Sequence, residues 1–188
     1  MGSELKKRIV TSLLLLLLLT IMYFFSFMMI ISLIVIAIII WIEFYALLSK
    51  IFIKNSINHK FYRFIFKSIS LLYLSLLVYY LFYIESYHQD LKVYLIYSIL
   101  VAILSDIGGL VIGKFFKGKK LTKISPNKTV SGSIGSFVFS LFLIPLFNET
   151  LIKYDLLILI VITLFISLTT QIGDLLISYI KRKAKVKN

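Results

Sequence analysis

Residues 9–42 read IVTSLLLLLLLTIMYFFSFMMIISLIVIAIIIWI, 34 positions without one charged side chain. A helix needs about 20 apolar residues to cross ~30 Å of hydrocarbon at ~1.5 Å per residue. The run is therefore too long for one span and just long enough for two short ones, near 9–25 and 27–48, turned back as a tight hairpin. Lys6, Lys7 and Arg8 precede it as they would precede a cleavable signal peptide, but no small-residue cleavage site follows Leu19.

Working outward, further apolar stretches place spans near 64–84, 91–112, 134–147 and 156–180. The expected fold is all-α, a polytopic integral membrane protein of about six helices in a single membrane-embedded domain over 1–188. Composition agrees: 60% of the 188 residues are hydrophobic and the mean hydropathy is +1.00, where soluble domains hold about 45–50% apolar residues. A soluble globular protein is excluded. There is no cysteine, hence no disulfide framework and no thiolate metal site. His59 and His88 fall in connecting loops and read as surface residues.

The 21 Lys and Arg against 8 Asp and Glu leave a formal charge of +13. Nineteen of the basic residues lie before the first span, after the second, after the fourth and after the sixth; only Lys92 and Lys153 fall elsewhere. Basic residues beside spans stay on the cytoplasmic side, so both termini are expected there, in the inner membrane of the cell. Because the cations alternate with spans and the aromatics lie inside them, a nucleic-acid surface is not expected.

Three segments depart from plain membrane filler. In the first, Ser105 to Lys120, Asp106 stands at the cytoplasmic end of a span, on one helical face with Gly109, Gly113 and Lys117. An acid in a span is costly, about 2.5–3.5 kcal/mol at the helix centre, and marks a polar cavity or a partner. The bland reading is a small-residue packing seam with Asp106 paired to a lysine. Gly108 to Lys114 has phosphate-loop spacing, but Phe115 replaces the required hydroxyl and the context is a helix rather than a strand.

The second segment, Ile124 to Gly135, carries Ser125, Lys128, Thr129, Ser131 and Gly132 in a turn-rich cytoplasmic loop expected over 113–133. Hydroxyls, a cation and accessible N–H groups suit phosphate oxygens. They suit contact with lipid headgroups equally well. The third, Thr169 to Lys183, aligns Gln171, Asp174, Ser178, Lys181 and Lys185 along one helical stripe. Asp174 is a candidate Mg2+ ligand and Lys181 a phosphate partner, whereas a simple basic anchor explains the lysines but not Asp174.

Together these segments resemble the phosphatidate cytidylyltransferase family, the membrane enzymes that make CDP-diacylglycerol. The resemblance is carried by Asp106 with its glycines and Lys114, by Ser125-Pro126-Asn127-Lys128-Thr129 with Gly132, and by Gln171-Ile-Gly173-Asp174 leading to Ser178 and Lys181-Arg182. Leu5 to Ile9 and Glu43-Phe-Tyr45 extend it over nearly the whole chain. It implies transfer of the cytidylyl group of CTP to phosphatidic acid with release of pyrophosphate. Asp174, Lys181 and Arg182 would be catalytic, with Mg2+ on Asp174. Asp106, Lys114, Ser125, Lys128, Thr129, Gly132, Gln171 and Ser178 would bind substrate. CTP, phosphatidic acid and membrane lipids would be the partners, a homodimer is left open, and the active face would be cytoplasmic. The family carries acids where Ser131 and Ile177 stand, and continues past this point into a segment supplying further metal-site acids. The chain is accordingly expected to be a fragment or an inactive truncation. The alternatives are a CTP-dependent polyprenol or phytol kinase, and a non-catalytic membrane protein or small transporter with Asp106 and Asp174 on an ion path.

Overall fold

A computed structural model describes residues 2–52, 57–122, 125, 128–151 and 155–186, with backbone alone for 2–9, 12, 89 and 148–151, and among the described residues there are seven α-helices. Ile124, Pro126 and Asn127 of the second segment lie outside them. The helices are α1 (Gly2–Phe24), α2 (Ser26–Ile51), α3 (Ile57–Tyr87), α4 (Lys92–Phe116), α5 (Val130–Leu141), α6 (Ile144–Leu151) and α7 (Leu156–Lys183). A short 3-10 turn over Gln89–Leu91 precedes α4. Among the described residues the only β feature is one antiparallel bridge, Lys120 with Thr129.

Helix is the expected outcome in lipid, where every backbone N–H and C=O must find a partner within its own segment. Among the described residues five apolar segments are long enough to cross a membrane: α2, α3, α4, Val130–Phe147 and α7. The apolar part of α1, Leu13–Phe24, is shorter. The chain is an all-helical polytopic membrane protein. Its long apolar side chains mostly face outward, where lipid takes the place of a core.

Where the sequence reading drew no internal boundary, the helices group into two units, residues 1–89 and 90–188. In the first, one extended residue, Phe25, separates α1 from α2, and α2 and α3 run antiparallel, with Tyr45 beside Lys67. His59 is not in a loop: it lies in the first turn of α3, half-buried against the Phe52 ring at 5.7 Å. His88 is exposed after α3, as expected.

In the second unit Tyr97, Val101, Leu143, Ile144 and Leu159 form the buried core. Helices α4 and α5 approach through glycine. A Cβ on Gly132 would stand 2.7 Å from the Gly109 carbonyl oxygen, and one on Gly135 2.7 Å from that of Gly108. Without a hydrophobic driving force between helices in lipid, such close backbone approach is what holds spans together. The seam read as a possibility at Gly109 and Gly113 is thus present, and it includes Gly132 and Gly135.

Candidate active site

The connection between α4 and α5 is shorter than the expected 113–133. Helix α4 continues to Phe116 and ends on Lys117, whose φ of 42° is left-handed. Gly118 N–H then donates to Ser131 Oγ (3.3 Å), and the Lys120–Thr129 bridge closes a hairpin-like loop. Leu121 N–H donates to the Lys128 carbonyl at 2.8 Å, and Val130 N–H to that of Lys119 at 2.9 Å. Thr129 is the N-cap of α5: its Oγ1 accepts from Gly132 N–H at 3.0 Å, satisfying one of the orphan donors of the first turn. These contacts fix where Lys128 emerges.

Lys128 Nζ reaches Asp174 Oδ2 of α7 at 2.8 Å. Asp106 of α4 lines the same cavity of about 190 Å³, with Gly109, Thr129, Gly132 and Gln171 also in its wall. Gln171 is held from two sides, its Oε1 accepting from Ser133 Oγ and its Nε2 donating to Ser167 Oγ at 3.5 Å. Ser167 Oγ in turn meets Ser105 Oγ at 2.8 Å, both fully buried. One turn deeper, Tyr97 OH meets Thr163 Oγ1. A polar file thus runs between α4 and α7 and ends at the cavity wall.

Of the residues singled out in the sequence, Asp106, Lys128, Thr129, Gly132, Gln171 and Asp174 come together around this cavity. Lys114, Ser125, Ser178, Lys181 and Arg182 do not line it. The partner of Asp174 is Lys128, 46 residues earlier in the chain, which reaches it from the α4–α5 loop; Lys181 forms no ion pair with it among the described residues and is not among those lining the recess. Asp106 has no lysine partner among the described ion pairs. Ser133 and Ser136 also line the cavity and were missed. Their signal was the spacing Thr129, Gly132, Ser133, Ser136, a helical i, i+3, i+4, i+7 stripe of small and polar residues that runs from the expected loop into the start of the expected span at 134.

Two carboxylates on facing helices, a lysine amine, hydroxyls and an amide thus line one recess of a polytopic membrane protein. The pattern of the cytidylyltransferase family matches residues 2–188, and the chain belongs to that family. It is 35% identical to a phosphatidate cytidylyltransferase of Bacillus subtilis (strain 168) over 127 residues, 65% of this chain and 46% of that protein. It is 37% identical to those of Staphylococcus aureus (strain COL) over 112 residues, 58% and 42%, and Staphylococcus saprophyticus over 98 residues, 50% and 37%. The matches thus cover less than half the length of these relatives. No solved structure gives a significant match.

Proposed function

We propose that the chain acts in transfer of the cytidylyl group of CTP to phosphatidic acid, giving CDP-diacylglycerol and pyrophosphate. The observation that carries the proposal is the meeting of Lys128, Asp106 and Asp174 in one recess, in a chain whose relatives bear that enzyme's name. Such a reaction asks for positioning and charge compensation rather than covalent catalysis by the protein. The lipid phosphate oxygen attacks the α-phosphorus, and the bond to the departing pyrophosphate breaks.

Lys128 donates to the nucleotide phosphates, leaving Asp174 for a cation. Mg2+ typically takes one or two protein carboxylates and completes its shell with water and substrate phosphates, so the donor set fits: Asp174, with Asp106 across the cavity, would hold it. When bound, the metal neutralises charge on the triphosphate. Ser133 and the Ser167–Gln171 contact hold the Gln171 amide at the wall, where it orients the substrate. Lys181 and Arg182 at the end of α7 serve the lipid headgroup at the membrane surface. The active face is the cytoplasmic one.

The fate of label tests this. With phosphatidate vesicles and CTP labelled at the α-phosphorus, label should enter the lipid as pyrophosphate is released. Transfer of γ-label would assign a kinase, and transfer of neither by a protein spanning the full length of its relatives would contradict a transferase.

A further inference from the structure

The first unit carries a second recess that the proposed transfer reaction does not use. On α3, Lys60, Arg63 and Lys67 recur at helical spacing along one face, and that face looks onto α2. With Trp41 and Tyr45 of α2 they line a cavity of about 360 Å³, and no carboxylate is in its wall. Glu43 stands about 200° around α2 from Trp41. Lys67 does not extend outward as a surface anchor does: its Nζ lies 3.0 Å from the centre of the Tyr45 ring. The indole Nε1 of Trp41 is buried with no hydrogen-bond acceptor among the described residues, although a buried indole N–H ordinarily has one.

Directly adjoining, and sharing Trp41 and Leu71, an apolar groove of about 530 Å³ continues between α2 and α3 as far as Ile30 and Phe82. From Trp41 to Ile30 it follows about 17 Å of helix. Three cations and an unanswered N–H at one end, and a long apolar trough leading away from them, have the form of an amphiphile's negative image. A packed helix or a second copy of the chain would fill the trough but leave the cations and the indole unanswered.

We propose that the α2–α3 hairpin holds one anionic phospholipid, its phosphate among Lys60, Arg63 and Lys67 and an acyl chain along the groove. This site lies in the first unit, and the proposal does not depend on the chemistry assigned to Asp106 and Asp174.

Trp41 is the only tryptophan in the chain, so its fluorescence reads occupancy. The purified full chain is placed in phosphatidylcholine vesicles containing either phosphatidylglycerol or phosphatidylcholine brominated on the acyl chain. Brominated phosphatidylglycerol should quench Trp41 at a mole fraction at least about tenfold lower than brominated phosphatidylcholine, as even one or two of the three cations acting on an anionic headgroup would give. The K60Q/R63Q/K67Q variant should lose that preference and the K60R/K67R variant should keep it. Equal quenching by the two lipids in the unaltered chain overturns the proposal by itself, whether or not the triple variant inserts. So does quenching by neither, which would mean that protein covers the groove, and so does reversal of the quenching by millimolar inorganic phosphate, which would mark a site for a soluble anion.

Discussion

Lys128 and Asp174 face each other at 2.8 Å with side chains 28% and 53% exposed, and an ion pair that open contributes only about 0–1 kcal/mol. The pair is therefore cheap to break, as a site that exchanges its internal cation for substrate and metal requires. In a protein spanning the full length of its relatives, Asp174→Asn should leave expression and thermal unfolding nearly unchanged while abolishing transfer at any CTP concentration, and added Mg2+ should restore little. Loss of folded protein would instead mark Asp174 as structural. Lys128→Ala removes a cation from a wall that keeps other donors, so CTP binding, measured by equilibrium dialysis, should weaken by about 1.5–3 kcal/mol. Because Lys181 is not the partner of Asp174, adding Lys181→Gln to Asp174→Asn should rescue nothing. Asp174 was legible in the sequence because an acid in an apolar helix has no inexpensive explanation. Its partner was not, since nothing local indicates that a loop 46 residues earlier returns to α7.

At the scale of elements, the glycines decide how near α4 and α5 come. Gly135→Ala would press a methyl group on Ile112 and the Gly108 carbonyl, and overpacking of this kind costs about 1–3 kcal/mol. Gly173 on α7 has nothing within 4 Å of its would-be Cβ, so Gly173→Ala should leave stability unaltered or slightly raised. Thermal unfolding in detergent, followed by size-exclusion chromatography, separates the two. Ser167→Ala should cost about 0.6 kcal/mol, typical of a hydrogen bond between membrane helices, yet weaken activity further through the freed Gln171 amide. The spans themselves were legible from apolar length. The start of α5 was not: Val130 to Gly135 holds Ser131, Gly132, Ser133 and Gly135, which in water reads as loop. In lipid the same small residues are those that let helices touch.

Across the whole molecule, the division of basic residues among the loops predicts the sidedness. With no native cysteine, a cysteine at Leu121, in the α4–α5 loop, should react with a membrane-impermeant maleimide only from the cytoplasmic side, and one at His88 only from the other. Reaction of both from one side would refute the arrangement. Family membership was legible because its motifs are polar and charged residues that a plain membrane span does not need, and of these Lys128, Thr129, Gln171 and Asp174 line the cavity. The separation of residues 1–89 from 90–188 was not, because apolar runs of similar composition carry no mark of which spans pack together. The central claim is that CTP enters the recess between α4, α5 and α7. Since Leu121 lines that recess, the most direct measurement is the rate at which a cysteine at position 121 is labelled with and without Mg2+ and CTP. Labelling should slow several-fold with CTP and not with the same concentration of pyrophosphate-free cytidine; a rate indifferent to CTP would contradict the account.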